Sequence, residues 1–215
     1  MKFLSRAATV LSAIFSPLLM ATYGVALAMV LSFLCFIPTA TKLTVIFETL
    51  LATVAIPVIG IFVLYKVKVI TDPKLNNRTD RTWPYIIATA CFIGESAYLY
   101  MINAPTWLSL FLIGGAMALI VLTVVNRWWK ISGHATGVGG LCAMIFYLML
   151  SGNSIYNLEW CFLIAVLVAG AVCSSRLILG RHTLGQVAAG CLNGFVCVFI
   201  PAIIFQSTPV VSSAA

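Results

Sequence analysis

Two histidines, His134 and His182, are the only imidazoles in a chain of 215 residues, and each stands close to a hydroxyl and a cation. Ser175-Arg176 precedes His182 with five residues between the arginine and the histidine. Ser132-Gly133 leads directly into His134, and six residues separate Lys74 from Arg81. Imidazole exchanges its proton nearest neutrality, so it suits acid–base and nucleophilic work. Guanidinium groups grip two phosphate oxygens in a planar fork, and a fixed cation offsets the charge of a phosphoryl group. A phosphate site built from Lys74, Arg81 and Arg176, within reach of two histidines, is the chemistry these residue types offer.

The elements that would hold such a site are set by composition. The chain is 62% hydrophobic and 8% charged, with a mean hydropathy of +1.12, far from the balance of a water-soluble domain. Unbroken apolar runs of about 20 residues match helices that cross about 30 Å of hydrocarbon, whereas a barrel would alternate in shorter segments. The expected fold is all-α: one polytopic transmembrane helical bundle of six or seven spans. Spans are read at about 18–37, 43–65, 84–102, 106–126, 134–151, 158–175 and 183–205. Residues 1–16 read as a retained interfacial helix, because the apolar run continues past Pro17 and the small-residue signal Ala26-Leu27-Ala28 lies deep within it. Residues 17–205 form the bundle, 206–215 a frayed small-residue tail, and 1–215 a single membrane domain.

Three loops then carry the polar motifs: 66–83, 127–134 and 176–182. Two spans separate each from the next, so all three emerge on one membrane face. Eleven of the twelve Lys and Arg residues lie there or at the N-terminus, with Lys42 alone opposite. That asymmetry follows the positive-inside rule and also suits a phosphate site. The net charge of +7 does not imply nucleic acid, since no aromatic-rich basic tract accompanies it. The seven cysteines sit in apolar runs without metal-ligand spacing and read as small buried hydrophobes. Glu48 and Glu95 fall at membrane depth, where a carboxylate is costly; each reads as a neutral, protonated acid hydrogen-bonded between helices, as a structural partner for a loop cation, or as a proton-carrying group of a small transporter. Lys130 and Arg181 flank the motifs and read either as solvated interfacial cations or as further contacts to substrate, and the glycines at 137–140 and 185–190 read as close helix contacts.

Taken together, Lys74 to Arg81, Ser132-Gly133-His134 and Ser175-Arg176 to His182 resemble, in order and spacing, the three motifs of the type 2 phosphatidic acid phosphatase superfamily. The resemblance covers about residues 74–186. The chain departs from the pattern at Thr82 and Ile131, where proline is usual, and at Gln186, where the family has aspartate. The resemblance implies an integral membrane phosphatase that removes phosphate from a lipid phosphate or diphosphate. In that scheme His182 attacks phosphorus, His134 serves the leaving group and then water, and Gln186 orients His182. Lys74, Arg81, Ser132, Gly133 and Arg176 would hold the phosphate. No metal or other cofactor is implied. Substrates would be a phospholipid, lipid A or a prenyl phosphate, with membrane lipids as surroundings and no fixed oligomeric state. A bacterial inner membrane is the expected location, with the active face cytoplasmic by charge and the periplasmic face as the alternative. Since Gln186 cannot supply a carboxylate's charge, a lipid-phosphate binder or flippase is the second reading, and a proton-coupled transporter using Glu48 and Glu95 the third.

Overall fold

The structure, a computed structural model, describes residues 2–73, 75 and 77–206. Lys74 and the tail from residue 207 onward therefore lie outside the described residues. Among those described there is helix and no strand, as expected for apolar sequence that must satisfy its own backbone hydrogen bonds. The helices are α1 (Lys2–Ile14), α2 (Leu19–Leu31), α3 (Thr39–Leu50), α4 (Ile56–Lys66), α5 (Thr82–Met101), α6 (Thr106–Val125), α7 (Gly133–Ser151), α8 (Glu159–Ile178) and α9 (Leu184–Gln206).

Five helical stretches are long and apolar enough to cross a membrane: α3 and α4 joined as Thr39–Lys66, then α6, α7, α8 and α9. A sixth arises if α1 and α2 are one broken span, bent by 66° at Pro17. The bend has a local cause, since proline lacks an N–H and clashes with the preceding turn. The expected first span over 18–37 is shorter than its apolar run. Helix α2 stops at Leu31, where the Ser32 hydroxyl bonds back to the Ala28 carbonyl at 2.7 Å, and a 3-10 turn follows over Phe33–Phe36. Helix α5 has 20 residues but is not among the apolar five; Trp83, Pro84, Tyr85 and Glu95 dilute it.

Helix α7 is the centre of the bundle. Two-thirds of its most apolar stretch is buried (67%), against 11% for α8, whose apolar side chains face outward. Its Val138, Met144 and Leu148 join Leu108 and Leu112 of α6 in the core. Its closest neighbour is α9, and the approach depends on small residues. A Cβ on Gly190 would lie 2.6 Å from the Ser132 carbonyl oxygen, and one on Gly194 would collide with the Thr136 carbonyl and come within 2.8 Å of the Gly140 nitrogen. Backbone-to-backbone contact of this kind is how apolar helices associate where burial from water offers no drive. It brings the start of α9 against the start of α7, and so His182 toward His134.

The two glutamates sit elsewhere. Glu95 is buried and accepts from the Thr49 hydroxyl at 2.7 Å, while the Tyr98 hydroxyl donates to Glu48. Thr53, in a single π-helical turn over Leu51–Ala55, extends the polar chain by bonding to the Thr49 carbonyl.

Candidate active site

A cavity of about 540 Å³ opens between the helices, within the size range of small-molecule sites. Its lining includes the polar and basic Arg81, Lys130, Gly133, His134, Arg176, Arg181 and His182 together with the apolar Ile61, Phe62, Ala88, Phe92, Phe111 and Leu122. Basic loop residues more than 100 positions apart in sequence thus share one cavity, and no carboxylate is among the described lining residues.

His182 sits on the tight turn from α8 to α9. Gly180 makes that turn at φ +61°, a left-handed conformation glycine adopts without strain, and the Arg181 N–H returns to the Arg176 carbonyl. Helix α9 then begins with a capping box. The Thr183 N–H donates to Gln186 Oε1 at 3.2 Å, and the Gln186 N–H reaches the Thr183 hydroxyl at 3.5 Å. Those donors fix Gln186 with its oxygen inward, and the same Oε1 lies 3.2 Å from His182 Nδ1. The Lys130 carbonyl lies 3.3 Å from that nitrogen. Both groups are acceptors, so Nδ1 must carry the proton and Nε2 keeps its lone pair. Burial first, then Arg81, brings the imidazole down to about 4, with Arg176 and Lys130 adding to the effect and the Gln186 bond opposing it. The ring is therefore neutral at pH 7, and its Nε2 lone pair has no hydrogen-bond partner among the described residues.

His134 occupies the first turn of α7, and its tautomer is the opposite. Its Nε2 lies 3.1 Å from the Ser12 carbonyl oxygen of α1, so Nε2 is the protonated nitrogen and Nδ1 holds the lone pair. Ser132 is the N-cap: its hydroxyl accepts from the Ala135 N–H and its own N–H donates to the Gln186 carbonyl at 3.2 Å. It is fully buried and does not line the cavity, so its position is that of a helix cap behind the wall rather than a phosphate donor. Gly133 does line it. With the Ala135 N–H taken by the Ser132 hydroxyl, the Gly133 and His134 N–H groups remain without an acceptor within the helix, which makes the end of α7 suited to an anion.

Arg176 lies in the last turn of α8. One terminal nitrogen donates to the Ser12 hydroxyl at 3.2 Å, while Nε is buried with no hydrogen-bond partner among the described residues. An orphaned guanidinium N–H on a cavity wall is costly unless something fills it. Arg81 is held from below: its Nε donates to the Leu75 carbonyl at 2.8 Å. Its loop is stapled by Asp80, which accepts from the Thr71 hydroxyl at 2.7 Å and from the Thr71 and Asp72 N–H groups at 3.1 Å; these bonds, the Thr71 hydroxyl foremost, lower its carboxyl from the ordinary range. Asn126 adds a tie from the end of α6 to the Arg78 carbonyl. Lys130 is lowered from its ordinary range by burial and then by Arg81, Arg181 and Arg176, a sign of how crowded the positive charge is.

Of the residues expected from sequence, Arg81, Gly133, His134, Arg176 and His182 share the cavity wall, and Gln186 stands behind His182. Lys74 is outside the described residues. Sequence reasoning missed Ser12, Asp80, Asn126 and Tyr85, which also lines the cavity. Only the capping box had a legible signal, Thr183-x-x-Gln186 ahead of an apolar run. Comparison of the chain with models of protein families, with curated proteins and with solved structures finds no match.

Proposed function

We propose that the protein is an integral membrane phosphatase of the type 2 phosphatidic acid phosphatase kind, acting on a lipid phosphate or diphosphate through a phosphohistidine. The observation that carries this is His182 held as the Nδ1–H tautomer, with Nε2 free, on a cavity wall shared with His134, Arg81 and Arg176. In the first step Nε2 attacks phosphorus as the phosphorus–oxygen bond to the lipid breaks, and the Nδ1 lone pair of His134 relays a proton from the hydroxyl of the phosphate monoanion to the departing alkoxide. In the second, His134 Nδ1 takes a proton from water, the hydroxide displaces Nε2, and inorganic phosphate leaves with that proton, returning His134 to its neutral form. Arg81 and Arg176, both on the cavity lining, offset charge on the equatorial oxygens. The apolar lining of the cavity takes the lipid chain. Counting α5 as a crossing gives seven spans and puts the three motif loops on one face of the membrane.

The test is phosphate release by the purified protein from phosphatidic acid, phosphatidylglycerol phosphate, a prenyl diphosphate and lipid A. At least one is hydrolysed and His182→Ala abolishes it; equal release by the variant rejects the nucleophile. Gln186 favours one second reading, a binder that no longer turns over, because an amide orients His182 without stabilising its developing charge. Gln186→Asp separates the two: a gain of tenfold or more marks attenuated chemistry, and no release from either form marks a binder.

A further inference from the structure

Helix α1 is an odd component of this site. It is the N-terminal arm of a bent pair, it packs chiefly against α8, and its two buried residues are Ala8 and Ser12. Phe3, Leu4, Val10 and Ile14 point away from the protein. Ser12, from this one-sided helix, nevertheless touches two of the residues proposed for catalysis.

Its contacts can be ordered by counting hydrogens. Ser175 donates its single hydroxyl proton to the Val172 carbonyl at 2.6 Å, so across the 2.9 Å contact between the two hydroxyls Ser12 must be the donor. That leaves the Ser12 oxygen lone pairs for the Arg176 guanidinium at 3.2 Å. The relay runs Arg176, Ser12, Ser175, Val172, in one direction only. The Ser12 carbonyl separately accepts from His134 Nε2 at 3.1 Å. Residue 12 is 8% exposed, so water does not compete freely for either group.

We propose that Ser12 is a positioning residue: its main-chain carbonyl fixes His134 as the Nε2–H tautomer, and its hydroxyl aims Arg176 into the cavity. The carbonyl performs for His134 the orienting service that Gln186 performs for His182, and it holds only while α1 is docked on α8. The site is then assembled across the bend at Pro17, with α1 as a working part. The kinetic half of this proposal rests on the phosphatase reading, whereas the His134 bond does not.

With two histidines in the chain, ¹⁵N-histidine labelling of the full-length protein in lipid nanodiscs gives two imidazole spin systems, which His182→Gln assigns. At pH 8 the expected result is one ring of each tautomer, Nδ1–H for His182 and Nε2–H for His134. Ala8→Trp, which pushes α1 off α8, is expected to scramble the His134 ring alone and to lower kcat. Ser12→Ala keeps the carbonyl, so it is expected to preserve both tautomers while kcat/KM falls about tenfold, mostly through KM, from loss of one hydrogen bond to a charged group; Ser12→Thr restores it. A wild-type His134 in the Nδ1–H form, or an Ala8→Trp protein with unchanged spectrum and rate, overturns the role of Ser12. Absence of phosphate release with the expected pair of tautomers instead removes the phosphatase reading and keeps the Ser12–His134 bond.

Discussion

In the proposed phosphatase, Gln186 orients the His182 imidazole with an amide rather than with a carboxylate. Its amide oxygen takes two donors, the Thr183 N–H and His182 Nδ1–H, so helix capping and tautomer control are one interaction. What the amide lacks is charge, and burial first, then the surrounding cations, already push His182 toward neutrality. A pH prediction follows with a definite sign. Relative to an ordinary histidine near 6.5, the folded ring resists protonation until about pH 4. Between those values the unfolded chain takes up a proton that the folded protein refuses, so this residue's contribution to stability is present above about 6.5 and lost as pH falls toward 4. On the proposed phosphatase mechanism, kcat/KM corrected for substrate ionisation is expected to keep its His182 limb near pH 4. Gln186→Asp adds a nearby negative charge and is expected to move that limb upward. A limb at 6.5 in wild type contradicts the burial and cation effects described here.

At the scale of elements, the crossing of α7 and α9 decides whether the site exists. His134 and His182 belong to the first turn of one helix and the turn before the other, and the Ser132 N–H to Gln186 carbonyl bond joins those ends directly. The crossing tolerates no side chain at Gly194, where the obstacles are the Thr136 and Gly140 backbones rather than flexible groups. Gly194→Leu is therefore expected to force the helices apart, costing about 2 kcal/mol or more of stability by overpacking. It should also abolish activity though it touches neither histidine. Gly170, whose Cβ would meet nothing within 4 Å, is the control: Gly170→Ala leaves both unchanged. Thermal unfolding in detergent, followed alongside phosphate release, reads the two effects separately. The loop before α5 works on the same plan, with Asp80 stapling its backbone and Asn126 tying it to α6, so Arg81 is held by elements rather than by its own helix.

Across the whole molecule the cavity is lined by both cationic and apolar side chains, a composition that an amphiphile with a phosphate end would fit. Ala88, on α5, is one of the apolar lining residues and is itself 2% exposed, so a larger side chain there has only the cavity to enter. Ala88→Phe is expected to raise KM for long-chain lipid phosphates about tenfold or more, since each lost buried methylene weakens binding by about 0.8 kcal/mol. Hydrolysis of a short, water-soluble phosphate ester should be little changed. An equal loss on both substrates would place the chain outside this cavity.

Much of this was legible in the residues alone. Hydropathy fixed the helical class, because only helices satisfy the backbone of long apolar runs; the spacing of Arg81, His134, Arg176 and His182 marked the site, since loops at alternate span ends must return to one side. Proline at 17 announced the bend, though not that α1 would fold back on α8. The roles of Ser12 and Ser132 were invisible for a physical reason. A main-chain carbonyl has no residue type, so nothing in the letters says that residue 12 faces His134, and a serine beside a histidine reads equally as ligand or helix cap until the helix start is placed. Which nitrogen of each imidazole bears the proton was likewise decided by tertiary contact, since it depends on acceptors from Ser12, Lys130 and Gln186 that only packing brings to the rings.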